Sequence, residues 1–493
     1  MSVSPVVPVA LPLLAAGLLV AVPGPRALHR ATGVVATCVV LLVSGALLSA
    51  ALHGMVTTVH VGGWPPGFAI TLAADVFSAL MVCVSAVLVL GSLAVAAATG
   101  DDREPFFTPL LLVLSAGAYG AFLTADLFNL FVFVEVMLVP SYALLTGAGE
   151  GGRLAAGRVY LTTNLLASTV LLAGIALVYG VTGSVNLGRL AGAAGASAAA
   201  SLAGGVVLLA LAAKAAVVPL HGWLPRAYPC AAPAVTVLFS GLLTKVGVYA
   251  FIRIYAVVFD GAAWLRPLIM AAALLSMVVG VLAAVGEHTV RAILSFHMVS
   301  QIGYILLGTA LFTAGALTAT IFFLVQYVIV KAALLACAGA LEATYGTGRL
   351  DRLGGLVGRD RLLAAAFMIA ALSLAGLPPL SGFVGKFGLV YAAATRSDHL
   401  AVAVAVAVSL LTLLSMVKVW REVFWGEETE LIRGADRPSR ANLTVRPALT
   451  APVMALALPS VVLGLGAQPL LVAASAAANG LTDTTAYVRA VTR

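Results

Sequence analysis

The stretch Lys214-Ala215-Ala216-Val217-Val218-Pro219-Leu220-His221-Gly222-Trp223-Leu224-Pro225 organises the chain, together with the apolar segment from Val206 to Tyr255 that contains it and carries a second lysine, Lys245. Pro219 has no N–H, so the helix carbonyl of Ala215 loses its partner right beside Lys214. A helix that breaks within hydrocarbon next to an ionisable side chain is the kind of element an ion path requires. A charge at the bilayer centre costs about 2.5–3.5 kcal/mol on insertion scales, so such a residue is read as functional.

Composition fixes the setting of this stretch. The 493 residues are 62% hydrophobic and only 9% charged, with a mean hydropathy of +1.11, which excludes a soluble globular protein. Apolar runs of helical length recur and strand-period alternation is scarce, so the expected fold is an all-α polytopic membrane protein of about fourteen transmembrane helices rather than a β-barrel. The expected spans include 70–98, 126–146, 204–222, 232–258, 316–343, 362–393 and 448–477. No Lys or Arg precedes the first apolar run, so it lacks a signal peptide's basic start and is expected to remain as a helix.

The net charge of +8 is not a nucleic-acid signature, because the arginines lie in loops and at the ends of apolar runs. They concentrate in the odd-numbered loops, whereas the even-numbered loops hold only Arg189, Arg253, Arg266 and Arg396. By the positive-inside rule the odd loops are cytoplasmic and both termini face outward. All five lysines, Lys214, Lys245, Lys331, Lys386 and Lys418, lie within or at the edge of expected spans. Arginine keeps its proton in proteins, whereas a desolvated lysine gives its proton up readily, so this segregation suits a proton relay. Lys418 is near a cytoplasmic end and reads as a snorkelling residue. Cys38, Cys83, Cys230 and Cys337 lack metal spacing and read as small buried hydrophobes.

Other spans carry chemistry of the same kind. Glu135 lies near the middle of the fifth span and Pro140 follows five residues later, the offset that separates Lys214 from Pro219, so a helix break is expected at Pro140 as well. An unpaired carboxylate there would be protonated and inert, so Glu135 needs a cationic partner, and Lys214 is the best candidate. The run from Ser295 to Tyr304 contains His297, Ser300 and Gln301, polar enough to wet a cavity, and Gln326 precedes Lys331 on the eleventh span. In Gly376-Leu377-Pro378-Pro379-Leu380-Ser381-Gly382-Phe383-Val384-Gly385-Lys386 two prolines and three glycines break the twelfth span beside another lysine. Asp75 opens the third span and reads as an interfacial residue.

Broken spans seven and twelve are five apart, which predicts two inverted five-helix repeats, each containing a broken helix, the architecture in which transporters build ion sites. The resulting domains are an N-terminal three-helix segment, 1–104; a first repeat, 105–260; a second repeat, 261–426; and a cytoplasmic loop with a C-terminal helix, 427–493.

The stretches Asp126 to Tyr142, Lys214 to Pro225, Ser240 to Tyr255, Ser295 to Gly308 and Gly376 to Lys386 resemble the proton-translocating antiporter-like subunits shared by Mrp-type sodium/proton antiporters and respiratory complex I, and those of the Mrp type most of all. The resemblance implies that Glu135 and Lys214 form the charge pair of one half-channel, that Lys245 links to the centre, and that Lys331 is the central relay. Lys386 would be the terminal site of the other half-channel. Relatives often place histidine where this chain has Gln326 or Tyr327, so water would fill that step. The resemblance further implies a secondary ion transporter subunit rather than an enzyme, moving H+ and Na+ in a bacterial plasma membrane, with Mrp A, B, C, E, F and G type subunits as partners and no cofactor. The alternative is a proton-pumping subunit of a redox complex. No phosphate loop, metal cluster or nucleophile elbow argues for a membrane enzyme.

Overall fold

In the computed structural model the described residues are 3–22, 24–65, 69–147, 151–429, 432 and 443–493. Most of the expected loop from Glu427 to Arg446 lies outside them. The helices run in the order α1 (Val7–Ala21), α2 (Arg26–Leu52), α3 (Val76–Thr99), α4 (Phe107–Leu123), α5 (Leu127–Thr146), α6 (Gly151–Thr182), α7 (Ala193–Ala196), α8 (Ala198–Lys214), α9 (Trp223–Ala227), α10 (Pro233–Gly241) and α11 (Leu243–Val257). They continue with α12 (Arg266–Gly286), α13 (Val290–Leu311), α14 (Ala314–Tyr345), α15 (Arg361–Ala375), α16 (Ser381–Thr395), α17 (His399–Val419), α18 (Pro447–Leu465), α19 (Gln468–Thr482) and α20 (Thr485–Thr492). Among the described residues, ten helical segments are long and apolar enough to cross a membrane.

The ends of these helices are written in the sequence. Asp75 accepts from the Ser78 backbone N–H at 2.9 Å while the Ser78 hydroxyl accepts from the Asp75 N–H, a reciprocal cap at the start of α3. Asp126, Thr289 and Thr313 cap α5, α13 and α14 in the simpler way. Asp75 also pairs with Arg253 on α11 at 2.7 Å, and the guanidinium lies 4.7 Å from the Tyr487 ring. Arg253 is therefore a buried helix residue, not a loop residue as its position near the end of the eighth span suggests.

At the centre stands α14, whose 32 residues span about 48 Å. A helix apolar on every side has to be covered on every side, and α3, α10, α13, α15, α16, α18 and α19 all pack on it. By contrast α2, α6 and α17 expose leucine and valine along one face, among them Leu42, Leu166 and Leu410, the surface expected of helices that meet lipid.

Five expectations need correction. The third span, expected from residue 70, starts later, because Thr71–Ala74 forms a strand paired antiparallel with Thr57–His60. The eighth span is two helices, α10 and α11, that meet at Leu242. The last span, expected over 448–477, divides into α18 and α19, both packed against α14. Gly464, near the end of α18, lies so close to the Pro379 carbonyl that a Cβ would stand 2.1 Å from the oxygen, so only glycine lets α18 pass the break of the twelfth span. Pro140 breaks nothing: α5 runs through it. The missing N–H costs α5 a single bond, to the Val136 carbonyl, and the rest of the ladder holds. Finally, of the cysteines only Cys337 is buried; the other three are partly exposed.

Candidate functional site

The breaks at Pro219 and at Pro378-Pro379 are real. The first separates α8 from α9, with Ala216 at φ +59° in the left-handed region, and the second separates α15 from α16, with Gly376 at φ +90° ending α15. Each interruption leaves the last carbonyls of the preceding helix short of helical donors; at the first break turn N–H groups and the Trp223 indole N–H, 3.0 Å from the Ala213 carbonyl, meet them, and at the second an ammonium group does. Lys214 is the last residue of α8. Lys386 reaches back across the second break, its Nζ 3.3 Å from the carbonyl oxygen of Ala375, the last residue of α15.

Lys245 does the same at the junction of α10 and α11, donating to the Ser240 carbonyl at 2.5 Å. It also lies 4.4 Å from the centroid of the Tyr327 ring. Lys418 donates to the carbonyls of Val285 and Glu287, at 2.9 and 2.8 Å, where α12 ends. The expected snorkelling lysine is thus a helix cap. Lys331 alone is mid-helix on α14, and it donates to the Leu294 carbonyl of α13.

Glu135 and Lys214 are brought together through a third residue. The Ser168 hydroxyl of α6 donates to Glu135, and Lys214 Nζ donates to Ser168 at 2.7 Å. The carboxylate itself is half-buried, set on the α5 face that carries the exposed Phe128, Val132 and Val139. Ser168 escapes sequence reasoning because one serine on an otherwise lipid-facing helix has no local signature.

The remaining groups form a continuous set. Gly247, two residues after Lys245, packs against the Lys214–Ala215 peptide, with a built Cβ 2.9 Å from the Ala215 nitrogen, so α11 joins the end of α8 to the centre. Tyr327, whose ring lies beside Lys245, is one turn from Lys331 on α14, and His297 is three residues from Leu294 on α13, whose carbonyl accepts from Lys331. The His297 Nε2 is 3.0 Å from Ser415 Oγ, while Nδ1 is buried without a protein partner. Both amide atoms of Gln301 and the Tyr327 hydroxyl are likewise buried and unpartnered. Buried polar atoms of this kind are satisfied by water.

Two further expected relay residues have protein partners. Ser300 donates to the Met277 carbonyl at 3.0 Å and belongs to the α12–α13 packing. Gln326 accepts from Ser381 at 3.3 Å, at the second break, where Ser373, Ser381 and Ser460 bond one another at 2.7 to 3.3 Å. That serine cluster is not legible in the sequence, since its members come from three helices. Consecutive Gln326 and Tyr327 therefore look opposite ways, one toward the α15–α16 break and the other toward Lys245.

The family described as NADH:quinone oxidoreductase/Mrp antiporter, TM, matches residues 124–412. The D-type subunit of the Na(+)/H(+) antiporter of Alkalihalophilus pseudofirmus is 36% identical over 99% of this chain and 98% of that protein. Its namesake from Bacillus subtilis is 32% identical over the same shares. Among solved structures, a chain of the Mrp complex from a Dietzia species superposes with a TM-score of 0.96 at 44% identity over 100% of both chains. A chain of respiratory complex I from Thermus thermophilus with bound NADH gives 0.83 at 25% identity, over 97% of this chain and 100% of that one.

Proposed function

The chain belongs to the NADH:quinone oxidoreductase/Mrp antiporter family of membrane subunits, and from that premise we propose that it is the proton-translocating subunit of a multi-subunit Na+/proton antiporter. Its partners are the other Mrp-type subunits, and it works as a secondary transporter, not an enzyme. Protons pass along Glu135, Lys214, Lys245, Lys331 and Lys386, with water and His297 between them. The observation that carries this reading is the placement of Lys245 and Lys386 on carbonyls at two helix ends and of Lys214 on Ser168 beside the first break, with Lys331 on the central helix α14.

Lys245, Lys331 and Lys386 are held by neutral acceptors, so a proton can bind there without a fixed counter-charge, whereas Lys214 has Glu135 across Ser168. Burial in hydrocarbon opposes the charge and the carbonyl ends favour it. A site balanced between the two releases its proton when a neighbouring charge arrives. Moving one charge through 100 mV is worth about 2.3 kcal/mol, comparable to a lysine shift of roughly 1.7 units.

Counting each broken pair as one span gives the fourteen crossings of this reading, ten of them in two inverted five-helix repeats, 105–260 and 261–426. The parallel between the two breaks supports that division, and arginine-rich odd loops support outward termini. The 44% identity to the Mrp chain against 25% to the complex I chain favours the antiporter over a redox pump.

Lys214→Ala and Lys386→Ala are each expected to abolish sodium-dependent proton exchange in membrane vesicles while the subunits still co-purify. Wild-type exchange in either variant would remove that residue from the path.

A further inference from the structure

Five loops that the arginine bias places on the cytoplasmic side converge on one cavity of about 510 Å3, lined by Asp101, Arg153, Cys230, Ala231, Arg291 and Glu342 among others. We propose that this cavity is the cytoplasmic proton entrance to Lys331, with Glu342 as the carboxylate that takes the proton up and Arg291 as the cation that sets it. This inference rests on the relay role assigned to Lys331 above.

The ion pair at the cavity is asymmetric. Arg291 Nη2 stands 2.5 Å from Glu342, yet the Arg291 side chain is 6% exposed and that of Glu342 is 26% exposed. The carboxylate faces water and the guanidinium lies behind it, donating also to the Ala231 carbonyl at 2.5 Å. When Glu342 is protonated, Arg291 keeps that second acceptor, so the pair opens without stranding a buried charge. Asp101, the other carboxylate of the lining, is already engaged by the Ala234 N–H at 2.9 Å. Arg153 and Cys230 complete the titratable groups around the pair.

Glu342 and Lys331 share α14, eleven residues and about 16.5 Å of axial rise apart, and the reach of the Lys331 side chain narrows that gap. Leu294 follows Arg291 by three residues on α13, about 4.5 Å of axial rise, and its carbonyl is the acceptor that holds Lys331. The central lysine therefore extends toward this mouth of the bundle. The step is one proton transfer through intervening water: an O–H bond of Glu342 breaks, an N–H bond forms on the neutral Lys331 amine, and the carboxylate re-pairs with Arg291. The positive charge then stands between Lys245 and His297, where it acts on both.

The test uses everted membrane vesicles containing the assembled complex. Glu342→Gln should lower sodium-dependent proton exchange by about tenfold or more and flatten its pH profile, while Glu342→Asp restores most of the rate. A structural role alone would leave the shape of the profile unchanged. As a second measurement, Cys230 in a chain with Cys38, Cys83 and Cys337 changed to alanine is exposed to a membrane-impermeant methanethiosulfonate. Reagent on the cytoplasmic side should modify Cys230 and slow exchange, and reagent on the outer side should do neither. Wild-type exchange in Glu342→Gln, or no reaction of Cys230 from the cytoplasm, overturns the entrance; if Glu342→Gln fails to assemble, the Cys230 result decides. Lys331→Ala separates the two levels: loss of exchange there with normal exchange in Glu342→Gln rejects only the entrance, whereas normal exchange in Lys331→Ala rejects the relay itself.

Discussion

Lys386 Nζ lies 3.3 Å from the carbonyl oxygen of Ala375, across the gap between two half-helices, and 4.6 Å from the centroid of the Tyr304 ring. Ser409 Oγ donates to the same carbonyl at 2.6 Å. These neighbours accept or polarise, and among the described residues no carboxylate pairs with this amine. Three of the five lysines, Lys245, Lys386 and Lys418, repeat the theme of an ammonium at a helix C-terminus. In a soluble protein such a cap is worth about 0.3–1 kcal/mol. In hydrocarbon, where an unsatisfied carbonyl costs several kcal/mol, the same contact makes the break and the lysine depend on each other.

Not every such lysine belongs to the path. Lys418 caps α12 through Val285 and Glu287 and lies outside the set that connects Glu135 to Lys386. Lys418→Ala is expected to lower the thermal stability of the purified complex by about 1 kcal/mol, the loss of a cap, and to leave proton exchange within a factor of two or so. A collapse of exchange with unchanged stability would place Lys418 in the relay after all.

Ser168 joins Glu135 to Lys214. Removing its hydroxyl leaves two charged groups facing a small void. A hydrogen bond to a charged group contributes about 1.5–3 kcal/mol, so Ser168→Ala is expected to slow exchange by roughly 10- to 150-fold without loss of assembly. Ser168→Thr keeps the hydroxyl and should retain most of the rate. Equal rates in wild type and alanine variant would mean that Glu135 and Lys214 communicate by another way.

Pro140 shows how far a sequence can be read and where reading stops. Pro219 and Pro140 share the same offset from an ionisable residue, yet one helix breaks and the other does not. The difference is beyond the offset itself: after Pro219 come His221, Gly222 and Pro225, which favour leaving the helix, whereas Pro140 is followed by Ser141-Tyr142-Ala143-Leu144-Leu145, which sustain it. The buried lysines, both true breaks and the pairing of Glu135 with Lys214 are legible because each is a polar anomaly in an apolar run. Ser168, the Ser373-Ser381-Ser460 cluster and the Arg253–Asp75 pair are not, because each needs contacts between helices distant in sequence. Pro140→Ala is accordingly expected to leave exchange intact and to stabilise α5 by up to about 3 kcal/mol, measured by exchange assay and thermal unfolding. Loss of exchange would show that the missing bond to Val136 is used.

Tyr327 offers a test of the proposed relay between Lys245 and Lys331. Its ring sits against the Lys245 ammonium and its hydroxyl is buried with no protein partner, so it can serve in two distinct ways. The ring face stabilises the cation by about 2 kcal/mol when both are desolvated, which favours the protonated lysine. The hydroxyl, buried without a protein partner, is a group that water would satisfy. Tyr327→Phe keeps the first contribution and removes the second; Tyr327→Leu removes both. If water there carries protons from Lys245 to Lys331, the phenylalanine variant loses most of its exchange and the leucine variant is no worse. If the ring's hold on the cation matters more, the phenylalanine variant stays near the wild-type rate and only leucine is impaired, with its optimum moved to lower pH because the lysine now loses its proton more readily. The unpartnered hydroxyl favours the first outcome, and exchange rates of the two variants across pH distinguish them.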